Sequence, residues 1–205
     1  MARSIFKENK KYTFSDYFEL NIPVDEIITE LGYSFRLKEI NIPFKTEIKP
    51  EVIERLQNSY YELLPKITLN SEIAKREFMI APVLYEVIRD IEAKLNIEYP
   101  IYIDEKLSGF IDYLIKSKQQ VIIIEAKRGN LDKGFNQLAA ELIALDKYED
   151  INTSNTLYGA ITIGEVWIFA LLNKKNKQII KDIHTFRYPE DIKDIFNKLR
   201  GMLEY

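Results

Sequence analysis

Apolar and polar positions fall into two regimes, with the change near residue 70. Beyond it the periods are clear. Asn70-Ser71 supplies capping side chains, and Ile73, Ile80, Leu84, Val87, Ile88 and Ile91 then return within one arc at about 100° per residue. This predicts a helix from 71 to about 93. A strand is expected near 99–103. Two more, over 107–116 and 120–127, are joined by the polar run Lys116-Ser117-Lys118-Gln119. A helix is expected over 131–147, strands over 157–163, 166–172 and 178–185, and a last helix over 189–203 opened by Pro189. Helices interleaved with strands imply an α/β fold, a central sheet flanked by helices. Residues 1–70 are broken by Pro23, Pro43, Pro50, Pro65 and Gly32, with helical stretches at 24–31 and 50–62. They are expected to form an N-terminal appendage (a lid, an interface or a substrate-selecting segment) on a domain spanning 71–205.

Charges interrupt the apolar pattern at a few places. Val121-Ile122-Ile123-Ile124 is continuously apolar, as in a strand buried on both faces, and it ends in Glu125-Ala126-Lys127. Glu125 and Lys127 share a face by alternation. Asp112 breaks the run Phe110-Ile111-Asp112-Tyr113-Leu114. If the hairpin turns at Lys118-Gln119, the register sets Asp112 directly opposite Glu125. Two carboxylates so placed repel, and a cation between them relieves the repulsion. A single Glu-x-Lys at a strand end is commonly no more than a salt bridge. The paired acid is what points to a metal.

On the predicted 71–93 helix, Glu77 lies within the apolar arc and is expected to face the core. It is either a third acid reaching the metal or the partner of a buried base. Pro82 allows a kink that would re-aim it. Glu72 is a rival for the same role. Glu72 and Glu86 lie off the stripe, as solvated acids do. On the next helix Gln137 and Glu141 share a face among apolar neighbours. Gln137 can hydrogen-bond Lys127, a phosphate or a metal-bound water, whereas Glu141 fits a surface pair equally well.

Composition narrows the chemistry. The 205 residues include no cysteine and one histidine, His184, which excludes thiolate sites and argues against a histidine-based zinc centre. A metal would be hard and oxygen-ligated, Mg²⁺ or Mn²⁺. The net charge of -3 does not describe a nucleic-acid coat protein, but an enzyme can carry a local basic patch on such a background. Lys127, Arg128 and Lys133 are candidates for phosphate contact. Lys174, Lys175 and Lys177 read as a solvated turn, His184 as structural and Trp167 as core. No signal peptide or membrane span is legible, so a cytoplasmic protein with no membrane partner is expected.

At these residues the chain resembles the PD-(D/E)XK superfamily of restriction-endonuclease-like proteins. The matching pieces are Glu77 or Glu72 in SEIAKREFMIAPVL, Asp112 in SGFIDYLI, Glu125-Ala126-Lys127 in VIIIEAK and Gln137 in GFNQLAAELIAL. They cover about residues 71–172. The first segment also looks like the opening helix of nuclease domains in Type I restriction subunits. Ile111 stands where the pattern's proline would be, a position that supplies no ligand. The resemblance implies a restriction-endonuclease-like core with a mixed sheet, and a Mg²⁺-dependent nuclease acting on DNA in defence or repair, with RNA as an open alternative. It implies Asp112 and Glu125 as metal ligands, with the Ala126 carbonyl completing the set, and Lys127 as the catalytic base or charge stabiliser. A homodimer would suit double-strand cutting. The alternatives are a catalytically silent nuclease-fold module that binds nucleic acid or a partner protein, and an interaction protein in which Glu125–Lys127 is only a salt bridge.

Overall fold

A computed structural model describes residues 4–7, 10–42, 48–89, 91–118, 120–127, 129–148 and 154–204. The elements follow in order: α1 (Phe14–Glu19), α2 (Val24–Glu30), β1 (Ser34–Leu37), α3 (Pro50–Leu63), α4 (Glu72–Lys75), a π-helical turn (Arg76–Ile80), α5 (Ala81–Arg89), β2 (Ala93–Tyr102), β3 (Ser108–Ser117), β4 (Val121–Ala126), α6 (Leu131–Lys147), β5 (Thr156–Thr162), β6 (Val166–Asn173), β7 (Gln178–Lys181), β8 (Phe186–Arg187) and α7 (Ile192–Glu204). The fold is mixed α/β, with one eight-stranded sheet flanked by helices. Its strand order is β1-β7-β6-β5-β4-β3-β2, with β8 also on β6. β4 pairs parallel with β5, β1 pairs parallel with β7, and the other pairs are antiparallel.

Burial explains the layering. On one face, Phe14 and Tyr17 of α1, Ile27 of α2, and Leu138 and Leu142 of α6 pack with Leu114, Ile123 and Ile161 of the sheet. On the other, Leu56 of α3, Val83 and Val87 of α5, and Leu199 of α7 pack with Ile115, Ile122, Ile124 and Phe169. β4 is therefore covered on both sides, as its unbroken apolar run requires. Gly134 lets α6 lie close to the sheet, because a Cβ there would collide with Ile161 Cδ1 and approach Lys127 Cγ to 3.0 Å.

Residues 1–70, read from sequence as an appendage, supply β1 to the edge of the same sheet and α1–α3 to its two layers. The helix expected to run to about 93 ends at Arg89, and the strand expected at 99–103 begins at Ala93. Pro189 lies ahead of α7 rather than in its first turn, after a cis Tyr188–Pro189 bond. Among the described residues, no helix is long and apolar enough to cross a membrane.

Candidate active site

β3 and β4 pair in the register the sequence predicts, Tyr113 opposite Ile124 and Lys116 opposite Val121. The ladder stops there, one position short of Asp112 and Glu125. Asp112 does not face Glu125 as a ladder neighbour. Its Oδ2 instead accepts the backbone N–H of Ala126 at 2.9 Å, so its carboxylate replaces a strand–strand bond where the two strands part. Its Oδ1 accepts from Arg76 Nη1 at 3.4 Å. The turn residue Gln119 lies outside the described residues, as does Arg128.

Glu125 is fully buried on the α6 face of the sheet. Its Oε1 is ion-paired with Lys127 Nζ. The Lys127 backbone N–H donates to Thr162 O at 2.8 Å, which anchors the lysine to β5. The ammonium also lies 5.5 Å from the Phe18 ring centroid of α1. Burial on its own would lower the Lys127 pKa, but Glu125 first and then Asp112 and Glu72 hold it above its ordinary value. Glu125 is pushed the other way for a carboxylate. Burial and the nearby Asp112 charge raise it to about 8, against the opposing pull of Lys127.

Gln137 and Glu141 are not a surface pair. They are 3% and 0% exposed, and Gln137 Nε2 donates to Glu141 Oε1 at 2.9 Å. Glu141 reaches within hydrogen-bonding distance of Glu125, and burial together with the Glu125 charge raises its pKa well above the usual range. Among the described residues, Glu125 Oε2, Glu141 Oε2 and Gln137 Oε1 have no hydrogen-bond partner. Buried oxygens without donors are costly, by about 1–3 kcal/mol each.

Glu77 is exposed rather than facing the core. Pro82 has no N–H to offer Phe78, and the ladder shifts so that Ala81 N–H bonds Arg76 O, one residue beyond helical spacing. That extra residue turns Glu77 outward. It also brings Arg76 inward, 13% exposed, with Nη1 also 3.5 Å from Glu98 and Nε 3.4 Å from the Tyr113 hydroxyl. Glu72 is the acid of this region whose charge acts on Lys127. Glu86, expected in solvent, is buried and held by Arg55 at 2.8 Å and Arg89 at 2.9 Å.

Sequence reasoning did not single out Arg76 or Phe18. Arg76 reads as a helix-surface residue until the π turn is known, and Phe18 belongs to a helix with no legible chemistry. Elsewhere, Lys174, Lys175 and Lys177 lie in the β6–β7 turn and Trp167 is fully buried, as expected. His184 precedes β8 and lies 3.6 Å from Glu39. A cavity of about 420 Å³ lined by His184, Asp191, Asp194 and Lys198 is separate from the Asp112–Glu125 cluster.

The donor set suits a hard cation. Asp112, Glu125, Glu141 and Gln137 offer oxygen only, and two of the carboxylates and the amide carry unpartnered buried oxygens. Among the described residues, no group of three or more His, Cys, Asp or Glu is gathered to hold an ion by itself. An ion here would need a backbone carbonyl, an amide or water to fill its coordination. No family model matches the chain, and no curated protein matches it significantly.

Proposed function

We propose that the protein is a divalent-metal-dependent nuclease of the PD-(D/E)XK type, hydrolysing phosphodiester bonds, with DNA as the substrate. The observation that carries this reading is the Glu125–Lys127 pair at the end of a buried strand, beside a second buried acid and an aspartate at the strand split. Burying two acids beside one lysine is costly, and folding alone does not require it.

Asp112, Glu125 and the Ala126 carbonyl are the groups that would hold Mg²⁺ or Mn²⁺. Such an ion supplies Lewis-acid charge to a phosphodiester when bound. The chain's own residues do the rest. Lys127 remains charged and is aimed by Glu125, so its ammonium can stabilise the negative charge that develops on phosphate oxygen. Asp112 fixes the Ala126 amide and thereby the end of β4. Arg76 uses Nε and Nη1 on neighbouring groups, and no contact among the described residues engages Nη2, which leaves a donor for a phosphate. Phe18 covers Lys127 from α1 and limits its access to water.

A second reading, a nuclease fold used for binding alone, draws on Arg76. Its guanidinium neutralises Asp112 from within the chain. One experiment separates the two. Plasmid, linear, single-stranded and branched DNA, and RNA, are incubated with the full chain in Mg²⁺, Mn²⁺ or EDTA, alongside Lys127→Ala. Metal-dependent cutting that the variant loses supports the nuclease. Absence of cutting on every substrate, with nucleic-acid binding retained, supports the binding module.

A further inference from the structure

Three buried oxygens that no donor among the described residues reaches come from neighbouring residues on the α6 side of β4: Glu125 Oε2, Glu141 Oε2 and Gln137 Oε1. Glu125 and Glu141 lie within hydrogen-bonding reach of one another, and a single proton shared between them still leaves Gln137 Oε1 without a donor. The Gln137 amide spends its nitrogen on Glu141 Oε1, which assigns its remaining atom as an acceptor oxygen. A water, an unseen donor or a cation must answer such a set. The donor types favour the cation: among the described residues Lys127 is the one base paired with these two acids, and the set offers oxygen in a buried place.

Asp112 differs in this respect. Both of its oxygens already have partners, Arg76 on one and the Ala126 amide on the other. The unanswered oxygens therefore point to a place other than the Asp112 side of Glu125. We propose that Glu125, Glu141 and Gln137 form a divalent-cation site of their own between β4 and α6, taking Mg²⁺ or Mn²⁺. Two carboxylates and an amide oxygen match the hard-donor preference of these ions, which fill remaining positions with water. The site shares Glu125 with the catalytic assignment above, but it stands whether or not the protein cuts nucleic acid.

Gln137 and Glu141 are four residues apart on one helix face, so α6 presents both toward β4 at once. Glu125 is the first polar residue after Ile122-Ile123-Ile124, and alternation aims it at α6.

The test is titration of the full-length chain with MnCl₂, read by calorimetry and by the loss of the free-ion electron paramagnetic resonance signal. Wild type is expected to bind Mn²⁺. Glu141→Gln, which keeps shape and removes charge, is expected to weaken that binding at least tenfold. Asp112→Asn is expected to retain a Mn²⁺-binding event that Glu141→Gln lacks. Thermal melts without metal establish that each variant folds, and Gln137→Met reads the same site if Glu141→Gln does not fold. Wild-type titration curves in Glu141→Gln or, where that variant does not fold, in Gln137→Met would overturn the site. So would no binding by wild type, or loss of all binding in Asp112→Asn. Failure to cleave any substrate, with Mn²⁺ binding still dependent on Glu141, would overturn the nuclease reading and leave this one standing.

Discussion

Asp112 Oδ2 accepts the backbone N–H of Ala126 at 2.9 Å, so a side chain of β3 closes the gap where its strand leaves β4. The bond joins two tasks. It satisfies an amide that the ended ladder would leave bare, and it fixes the strand end from which Glu125 and Lys127 project. A carboxylate in this position is structural as well as chemically available.

Asp112→Ala should therefore destabilise the metal-free protein, by about 1–3 kcal/mol, because the Ala126 amide and Arg76 both lose an acceptor. Relief of repulsion with Glu125 works in the opposite direction and is the smaller effect, since Arg76 already offsets the Asp112 charge. Asp112→Asn keeps an acceptor oxygen and should lose less stability while losing cleavage. Urea denaturation of both variants without metal checks the order. A more stable Asp112→Ala would show that repulsion dominates.

Removing Lys127 should be more damaging. Lys127→Met leaves Glu125 and Glu141 buried with no paired base, which costs about 3–5 kcal/mol when one partner of a buried pair is deleted. Adding Glu125→Gln to Lys127→Met should recover most of that loss. A double-mutant cycle on unfolding free energies measures the coupling, and a coupling near zero would place the pair in solvent rather than in the core.

Much of this site is legible in the sequence because β-structure has a short period. Ile122-Ile123-Ile124 announces a buried strand, and the hairpin register follows from the polar turn. The last pair is not legible, because a side-chain bond to Ala126 replaces the expected ladder position. The helix acids were harder to read. Counting at regular helical spacing puts Glu77 inside, but Pro82 forces a π turn that moves Glu77 out and Arg76 in. Glu86 reads as solvated because Arg55, its partner, is distant in sequence. β1 is four residues long and pairs with β7, so nothing local marks the N-terminal segment as part of the sheet. Glu141 was visible as a residue among apolar neighbours, but only its contact with Glu125 distinguishes a buried acid from a surface one.

Gly134→Ala tests how closely α6 must approach the site. The added methyl group meets Ile161 Cδ1 and Lys127 Cγ. Ile161 can rotate only within a filled core, so the expected cost is about 1–3 kcal/mol of overpacking, partly offset by the better helix propensity of alanine. The displaced Lys127 should also lower kcat more than it raises KM. Melting temperature and steady-state cleavage report the two effects separately, and unchanged values for both would mean that α6 is free to shift.

The buried acids also give the metal-free protein a pH dependence of definite sign. Glu125, raised to about 8, and Glu141, raised well above its ordinary value, bind protons more tightly folded than unfolded. Their contribution to stability is full below the ordinary carboxylate range. It is lost as pH rises from the ordinary carboxylate range toward about 8, because ionisation is easier in the unfolded chain. Glu86 has the opposite sign. Burial would raise it, but Arg89 and Arg55 outweigh burial and lower it, so its contribution is lost as pH falls. Melting temperatures measured in EDTA should thus decline between pH 5 and pH 8, and Glu141→Gln should flatten the decline. With Mn²⁺ present the wild-type decline should shrink, since a bound cation favours the ionised acids. A flat wild-type slope in EDTA would mean that Glu125 and Glu141 are hydrated, with no unanswered oxygens left for a cation between β4 and α6.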